Sequence, residues 1–303
     1  MTDMTDFQME ISRLLPDVKI VFYEPMSKHT SFRIGGPAEV MAFPENTDQL
    51  SQILKVSALL DIKPAIIGAG TNILAPDEGI AGLTICLKEN FSSVNLIGTS
   101  CIRAEAGATL TKVAVFAANA GLSGLEFAHG IPGSVGGGVY MNAGAYGGEM
   151  KDVLVCAEVM DYNGSVHKYG VEELGLSYRH SILEECPAIV LSAQFQLVSK
   201  PVQEIRDYMQ ELAAKRKASQ PLDKPSAGSA FKRPVGGYAA ALIDQAGLRG
   251  YCVGGAAISE KHAGFAVNMG GATAEDVKKL LHQVSKIVYE KSGILLEPEI
   301  RIW

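Results

Sequence analysis

The residues of this chain that could do chemistry lie in three short polar segments. These are SYRHS at 177–181, AGSAFKRP at 227–234 and LEPEIR at 296–301. Each contains an arginine, and a guanidinium can grip a carboxylate or a phosphate through two parallel N–H bonds. Taken singly, each segment has a simpler explanation as a surface turn or a structural ion pair, because exposed charges contribute little to stability. Joint chemistry requires a fold that brings the segments together.

A further segment is defined by glycine. Eight glycines occur between Gly130 and Gly148, in GIPGSVGGGVYMNAGAYGG, and a second turn, GAGTNIL, begins at Gly68. This density predicts loops, because it is too high for an ordinary helix or strand. Glycine also permits close approach of the backbone to a ligand, so that several N–H groups can surround a phosphate. Two such segments favour a dinucleotide cofactor; for GAGTNIL, turn geometry alone is the alternative.

Motif spacing disfavours several familiar sites. Neither glycine segment fits GxGxxG and no GxxxxGK[ST] occurs, which argues against Rossmann and P-loop nucleotide sites. No HExxH spacing is present and the six histidines are scattered, so no metal site is expected. The absence of GxSxG from the sequence leaves a hydrolase nucleophile unsupported.

Composition narrows the class of protein. The chain has 303 residues, of which 47% are hydrophobic and 20% charged, enough for a packed core in two domains or one domain with subdomains. A net charge of −6 argues against nucleic acid or an anionic membrane as a partner. Five cysteines without CxxC spacing predict reduced thiols. An acidic start without a signal segment, and no apolar run near about 20 residues, predict a cytoplasmic protein.

Hydrophobic periodicity predicts a mixed chain with local antiparallel hairpins, one of them turning at Asn163-Gly164, and therefore an α+β fold. The predicted helices are at 7–15, 48–60, 111–120, 201–217, 237–246 and 274–291. The predicted strands are at 38–43, 65–67, 83–87, 94–97, 102–106, 153–161, 166–169 and 188–198, near 256 and 266, and at 296–303. Thr273 is expected to begin the last helix, and Gly121 and Gly293 to follow helix ends. Residues 218–228 are expected to form a polar linker.

Together these segments resemble the family of UDP-N-acetylenolpyruvoylglucosamine reductases, the flavoenzymes of bacterial cell-wall precursor synthesis. The matching stretches are HTSFRIGGPAE from His29, GAGTNIL, GIPGSVGG, MNAGAYGGE, SYRHS, SAGSAFKRP, SEKHAGFAVN from Ser259 and LEPEIR. They follow one another over nearly the whole chain. The first third is similar to the wider vanillyl-alcohol-oxidase-type FAD domain, which explains two glycine turns without a Rossmann fingerprint.

The resemblance implies a vanillyl-alcohol-oxidase/PCMH-type FAD-binding domain made of two α+β subdomains, plus a smaller α+β substrate-binding domain. It places the FAD-binding domain at 1–218, with subdomains of about 1–88 and 89–218, and the substrate-binding domain at 219–303. The last strand, 296–303, is expected to return to the flavin site. Since Arg179 and Ser229 are only 50 positions apart, the tyrosine-bearing insertion of the longer members has no room, and the chain resembles the shorter class.

The resemblance also implies residue roles, one position at a time. Arg179 resembles the catalytic arginine, Ser229 the serine proton donor and Glu299 the catalytic glutamate. Tyr146 resembles a tyrosine near the flavin and the substrate, and Arg301 an arginine near the flavin.

Two groups of binding residues complete the expected site. The cofactor-binding candidates are Gly68, Ala69, Gly70, Thr71, Asn72, Ile73, Gly130, Ile131, Pro132, Gly133, Ser134, Gly136, Gly137, Asn142, Gly144, Ala145, Tyr146 and Arg301. The substrate-binding candidates are Tyr146, Lys232, Arg233, Lys261 and His262. Some members of the family read FKNP where this chain reads FKRP, so Arg233 places a cation where those members have a neutral side chain.

The implied activity is reduction of UDP-N-acetyl-3-O-(1-carboxyvinyl)glucosamine to UDP-N-acetylmuramate, with FAD and NADPH as cofactors. The chain is expected to act as a monomer, without nucleic-acid or membrane partners. One alternative is another FAD oxidoreductase of the same flavin fold, such as an oxidase of small alcohols, which gives no reason for AGSAFKRP and LEPEIR together. A second alternative is a non-catalytic nucleotide-binding protein, which would be colourless when purified.

Overall fold

The computed structural model describes residues 5–88 and 90–303, which form two compact units. The first unit comprises the described residues up to Phe22 together with Glu39–Ala69 and Gly82–Ala214. The second comprises Tyr23–Ala38, Gly70–Ala81 and Lys215–Trp303. Both units are therefore discontinuous in sequence, whereas the predicted domains are contiguous. The assignment of FAD binding to 1–218 and of substrate binding to 219–303 stays a prediction.

The helices of the described residues are α1 (Asp6–Leu14), α2 (Thr47–Leu59), α3 (Leu110–Asn119), α4 (Val135–Tyr140), α5 (Val171–Leu174), α6 (Val202–Ser219), α7 (Ala239–Gln245) and α8 (Ala274–Ser292). Each of the six predicted helices is present within two residues of its expected ends. Thr273 begins α8 as expected, since its hydroxyl accepts from the Asp276 N–H, and Gly121 and Gly293 follow helix ends with φ of 70° and 72°. No helix in the described part of the chain is long and apolar enough to cross a bilayer.

The strands are β1 (Lys19–Pro25), β2 (Pro37–Phe43), β3 (Ala65–Ile67), β4 (Ile73–Leu74), β5 (Ile80–Cys86), β6 (Val94–Ile97), β7 (Cys101–Glu105), β8 (Leu122–Ser123), β9 (Gly144–Ala145), β10 (Gly148–Glu149), β11 (Leu154–Asp161), β12 (Val166–Gly170), β13 (Ala188–Gln196), β14 (Val198–Ser199), β15 (Ser226–Ser229), β16 (Cys252–Val253), β17 (Ala256–Ile258), β18 (Phe265–Asn268) and β19 (Arg301–Ile302). The mixture of helices and largely antiparallel strands confirms the α+β class.

The first unit is built on two sheets. One has the strand order β1-β2-β5-β3 and is assigned to this unit because most of its residues lie there. The other has the order β12-β11-β13-β7-β6, with antiparallel neighbours throughout. The predicted hairpin at Asn163-Gly164 joins β11 to β12, which pair from Met160 with Val166. One hydrophobic core of this unit packs α2, α3 and α4 with residues of both sheets.

The second unit contains a four-stranded antiparallel sheet of order β15-β18-β17-β16 and a short parallel pair, β19 with β4. Its own hydrophobic core joins one face of α8 to residues of α7, β17 and β18. The apolar side chains of α8 that lie in this core repeat at helical spacing: Val277, Leu280, Leu281, Val284 and Val288.

Four expectations about elements were wrong. Residues 135–140 are helical despite their glycines, because α4 packs closely on β7 and β13: a Cβ at Gly136 would lie 3.0 Å from the Ala106 Cβ. The strand expected at 188–198 divides, with β13 ending at Gln196 and β14 pairing with β8. Part of the expected linker is β15, because Ser226 pairs with Val267. The strand expected at 296–303 is regular only at β19.

The start of α8 generates a stability prediction. Asp77 accepts hydrogen bonds from the Ala274 N–H at 2.7 Å and the Glu275 N–H at 3.1 Å, two donors that a helix leaves without an intrahelical partner. Replacing Asp77 by alanine is expected to lower the unfolding free energy by about 1 kcal/mol, measured by urea titration. Asp77→Asn, which keeps one acceptor, should lose less. Asp223→Ala, which removes an exposed carboxylate, is the control. If Asp77→Ala and Asp223→Ala unfold at the same urea concentration, Asp77 does not stabilise the start of α8.

Candidate active site

In the first unit the two glycine segments lie side by side. Gly68 directly follows β3, and Ser134 is the N-cap of α4. The loop before α4 is fixed by backbone bonds from the Leu110 N–H to the Gly133 carbonyl, 3.0 Å, and from the Val135 N–H to the Ala108 carbonyl, 2.8 Å. A Cβ at Gly68 would overlap the Ser134 hydroxyl oxygen, so only glycine fits this approach without displacement.

Four backbone N–H groups where Gly68 meets Ser134 have no hydrogen-bond acceptor among the described residues. Within residues 5–88 and 90–303, no protein group accepts a hydrogen bond from the N–H groups of Gly68, Ala69, Gly133 and Ser134. Ser134 is nevertheless only 2% exposed. Buried backbone donors normally find a partner, and neighbouring N–H groups of this kind suit the oxygens of a phosphate. The arrangement fits a pyrophosphate ligand.

The predicted residues Tyr146 and Arg179 of the first unit both have a left-handed backbone. Tyr146 and Gly147 join β9 to β10 with φ of 53° and 88°, which is the two-residue hairpin turn with positive φ at both positions. The Tyr146 side chain is 40% exposed at this turn. Arg179 lies in the turn closed by Ser177 and His180 and has a φ of 56°. Such a backbone is unfavourable for bulky side chains and is concentrated at functional sites.

Arg179 and the β9–β10 hairpin are in contact. The Arg179 Nη2 lies 3.5 Å from the Gly144 carbonyl oxygen, and the guanidinium carbon lies 5.1 Å from the centre of the Tyr178 ring. The side chain is half-buried. The structure thus brings Arg179 to the same place as Gly144 and Ala145, which sequence reasoning had assigned to the cofactor.

In the second unit Ser229 and Glu299 lie on neighbouring stretches of chain. The Glu299 N–H donates to the Ala230 carbonyl at 2.9 Å, and the Lys232 N–H donates to the Glu297 carbonyl at 2.8 Å. Ser229 ends β15 opposite Phe265 and is exposed, whereas Glu299 is partly buried. Backbone pairing therefore fixes a hydroxyl and a carboxyl residue next to each other.

The same C-terminal stretch also contacts the end of GAGTNIL. Arg301 pairs with Ile73 in the parallel β19–β4 pair, and its N–H donates to the Asn72 carbonyl at 3.0 Å. Gly70 has a φ of 62°, and a Cβ there would overlap the His29 carbonyl. These contacts place Asn72, Ile73 and Arg301 together in the second unit.

The basic substrate-binding candidates of the second unit already have protein partners. Lys232 Nζ lies 2.5 Å from Glu297 Oε1, and Lys261 Nζ donates to the Lys217 carbonyl at 2.6 Å. The Arg233 guanidinium lies 4.0 Å from the centre of the exposed Tyr238 ring. A phosphate that bound the two lysines would exchange these contacts for its own oxygens.

The surroundings of His262 favour the neutral form of its ring. Its Nδ1 accepts the Gly264 N–H at 3.1 Å, which leaves the ring proton on Nε2. Burial lowers the pKa of His262, and the neighbouring Arg249 adds to that shift. The ring meets Phe265 edge-on at 5.0 Å between centroids, and Phe265 is the strand partner of Ser229.

The structure groups the predicted site residues within each unit. The first unit contains Gly68, Ala69, Gly130, Ile131, Pro132, Gly133, Ser134, Gly136, Gly137, Asn142, Gly144, Ala145, Tyr146 and Arg179. The second contains Gly70, Thr71, Asn72, Ile73, Ser229, Lys232, Arg233, Lys261, His262, Glu299 and Arg301. The convergence of Arg179 with Ser229 and Glu299 stays a prediction.

Sequence reasoning passed over one residue beside the glycine segment. His129 directly precedes Gly130, and its Nδ1 is buried without a hydrogen-bond partner among the described residues. A buried polar atom of this kind is unusual. Its position next to the glycine segment is the available sequence signal, but a single histidine is usually structural and so does not by itself predict a site.

Comparisons with known proteins agree with this arrangement. A sequence model of the FAD binding domain matches residues 38–170, and a model of the C-terminal domain of UDP-N-acetylenolpyruvoylglucosamine reductase matches residues 220–303. The reductase of that name from Agathobacter rectalis is 49% identical over 98% of each chain. The chain belongs to this reductase family.

Two further relatives agree. The reductase from Caldanaerobacter subterraneus subsp. tengcongensis is 47% identical over 97% of this chain and 96% of its own. The crystal structure of the reductase from Thermus caldophilus superposes with a TM-score of 0.81 at 38% identity, covering 94% of this chain and 98% of that one. The predicted family and the predicted FAD-binding domain within an α+β chain are confirmed.

The approach of Gly68 to Ser134 generates a prediction about FAD. Gly68→Ala should weaken FAD binding about 10-fold. The added methyl group would push the two loops apart, and such overpacking typically costs about 1–3 kcal/mol. Flavin absorbance per polypeptide after gel filtration, and titration of the apoprotein with FAD, measure the effect. Gly170→Ala is the control, since its Cβ would meet the flexible Glu173 carboxylate at an ordinary 3.5 Å.

A second substitution separates crowding from other effects. The added Cβ would lie 3.5 Å from the Ser134 Cβ, so removing the hydroxyl relieves the overlap. Gly68→Ala combined with Ser134→Ala should therefore bind FAD more tightly than Gly68→Ala alone. If the double variant binds no better, the close approach is not what limits FAD binding.

Proposed function

We propose that the chain reduces UDP-N-acetyl-3-O-(1-carboxyvinyl)glucosamine to UDP-N-acetylmuramate with NADPH, in peptidoglycan precursor synthesis. Membership of the reductase family over 98% of the chain supports this. The observation that carries it is the 2.9 Å hydrogen bond from the Glu299 N–H to the Ala230 carbonyl, which pairs the backbone at Glu299 with the residue that follows Ser229. When bound, FAD supplies the transfer of two electrons between NADPH and the enolpyruvyl group.

Arg179 is proposed to hold the carboxylate of the enolpyruvyl group. Reduction of the double bond moves negative charge toward that carboxylate, and donors fixed in advance stabilise such charge best. A guanidinium is permanently charged and matches a carboxylate in a two-pronged geometry. The unusual backbone of Arg179 supports a functional role for this residue.

Ser229 is proposed to protonate the substrate carbon. A serine hydroxyl is a weak acid, but a carbanion-like carbon is far more basic than ordinary acceptors. The hydroxyl is exposed at the end of β15, so a ligand can reach it. Glu299 is proposed as the third catalytic group. An ionised carboxylate would repel the negative charge that develops on the substrate. Glu299 can therefore contribute only if its carboxyl is protonated or if it acts through a neighbouring hydrogen-bond donor.

The remaining roles concern ligand binding and the setting in which the chain works. Lys232, Arg233, Lys261 and His262 are proposed to bind the UDP portion, for which three cations and a neutral imidazole donor suit phosphate and carbonyl oxygens. Arg301 and the predicted glycine-segment residues are proposed to bind FAD. Asn142 is excepted, because its side chain is fully buried and its amide is hydrogen-bonded to protein groups. The absence of nucleic-acid and membrane partners is proposed on the negative net charge. A monomer that works in the cytoplasm is proposed as well.

Anaerobic stopped-flow tests the proposal. The enzyme is first reduced with NADPH and then mixed with the enolpyruvyl nucleotide, and reoxidation of the flavin absorbance is followed. Rapid reoxidation together with UDP-N-acetylmuramate formation is expected. Reduction by NADPH without reoxidation by the nucleotide would overturn the proposed substrate.

Ser229→Ala is expected to keep bound flavin and its reduction by NADPH while slowing reoxidation by the nucleotide about 10²–10⁴-fold, the usual worth of a general acid. The two rates are measured separately in the same instrument. Ser226→Ala, on the same strand, is the matched control and should behave as the unmodified enzyme. Near-normal reoxidation in Ser229→Ala would remove its assigned role.

Arg179→Lys is expected to slow the same reoxidation about 10–100-fold, because an ammonium cannot form two parallel bonds to a carboxylate and one charged hydrogen bond is worth about 1.5–3 kcal/mol. Steady-state and stopped-flow rates both report the loss. Arg206→Lys is the control, since that arginine donates to Asn119 on the exposed side of α6. Unchanged kinetics in Arg179→Lys would count against carboxylate recognition.

A further inference from the structure

The turn that carries Arg179 is anchored at both of its ends to one segment of the first unit. Before Arg179, the Ser177 carbonyl accepts a hydrogen bond from the Asn142 Nδ2 at 3.0 Å. After Arg179, the Ser181 hydroxyl donates to the Tyr140 carbonyl at 2.7 Å. Asn142 and Ser181 are both fully buried. Two hydrogen bonds from buried side chains thus fix the two ends of a turn whose middle residue Tyr178 is exposed.

The Asn142 amide is fixed in one orientation by its other partners. Its Oδ1 accepts the Lys151 N–H at 3.0 Å, and its Nδ2 donates to Glu149 Oε2 at 2.7 Å as well as to Ser177. The Glu149 carboxylate is in turn 2.6 Å from Lys151 Nζ. A flipped amide would place its oxygen against two acceptors, so the network holds the donor toward Ser177.

The backbone of the turn explains why a clamp is needed. Arg179 has a φ of 56°, a conformation costly for a long side chain, and such a residue persists only when its surroundings hold it there. Asn142 has a φ of 40°, which asparagine tolerates better than other L-residues. Loss of either anchor would let the turn relax and move the guanidinium.

We propose that Asn142 and Ser181 are positioning residues that hold Arg179 in place for the substrate carboxylate. The inference rests on the proposed function of Arg179 and adds two residues that act through it. Asn142 donates to the Ser177 carbonyl before Arg179, and Ser181, which follows Arg179, donates to the Tyr140 carbonyl. Both side chains are fully buried, so their proposed effect on the substrate is exerted through Arg179. Displacements near 1 Å at a reacting group can cost about 10²-fold in rate, so loss of one anchor has a measurable effect.

A pair of ligands distinguishes positioning of Arg179 from a general structural role. UDP-N-acetylmuramate carries the lactyl carboxylate, and UDP-N-acetylglucosamine lacks it. Calorimetric titration of the oxidised holoenzyme measures both affinities. Ser181→Ala is expected to weaken UDP-N-acetylmuramate about 10-fold and to leave UDP-N-acetylglucosamine within about 2-fold, because one charge-assisted pair is affected. Equal weakening of both nucleotides, or of neither, overturns the inference.

The control removes the same chemical group elsewhere. The Ser57 hydroxyl is buried in α2 and donates to the Ile53 carbonyl at 2.8 Å. Ser57→Ala should cost similar thermal stability and change neither affinity. Asn142→Asp is the second variant: it keeps the shape and the tolerated backbone, replaces the donor by a carboxylate facing Glu149, and should weaken UDP-N-acetylmuramate selectively. Flavin absorbance and melting temperature establish that each variant is folded holoenzyme.

A double-mutant cycle with Arg179→Ala completes the test. If Ser181 acts through Arg179, Ser181→Ala should weaken UDP-N-acetylmuramate no further once the guanidinium is gone. Additive losses overturn the positioning role. An Arg179→Ala variant with unchanged affinity for UDP-N-acetylmuramate and unchanged reoxidation rate would instead overturn the proposed function of Arg179, whatever Ser181→Ala does.

Discussion

The backbone hydrogen bonds of the last seven residues organise the second unit. The stretch from Glu297 to Trp303 exchanges main-chain bonds with Ala230 and Lys232 on one side and with Asn72 and Leu74 on the other. It thereby joins segments that are far apart in the sequence. Since these bonds use only N–H and carbonyl groups, they set the neighbourhood of Ser229, Glu299 and Arg301 without consuming a side chain.

In the first unit the corresponding constraint is close approach of backbone. Gly68 lies against Ser134, and Gly136 lies against Ala106, at separations that leave little or no room for a Cβ. Glycine normally disfavours helix by about 1 kcal/mol per residue, so α4 forms because of its packing on the sheet, not because of its composition. The cost in helix propensity is offset by close backbone contact, such as the 2.8 Å hydrogen bond from the Gly136 N–H to the Ala106 carbonyl.

Periodicity and end signals predicted the regular elements well, because amphipathic helices such as α8 and hairpins such as the one at Asn163-Gly164 depend on local sequence. Elements whose existence depends on a distant partner were mispredicted. β15 forms because Ser226 meets Val267, and α4 because Gly136 meets Ala106. Neither partner is visible in a local window.

The same distinction applies to the candidate site. The resemblance to the family singles out Ser229, Glu299 and Arg179 as catalytic candidates, but the contacts that hold them lie outside the motifs that contain them. The Glu299 N–H donates to the backbone carbonyl of Ala230, and any residue at position 230 would supply that carbonyl. Asn142 and Ser181, which anchor the Arg179 turn, likewise donate to backbone carbonyls, so these bonds do not depend on the side chains of the accepting residues. The proposed catalytic side chains are therefore held through main-chain hydrogen bonds and through buried amide and hydroxyl donors. None of these bonds uses the side chain of residue 229 or 299, so the backbone contacts do not dictate which side chain stands at either position.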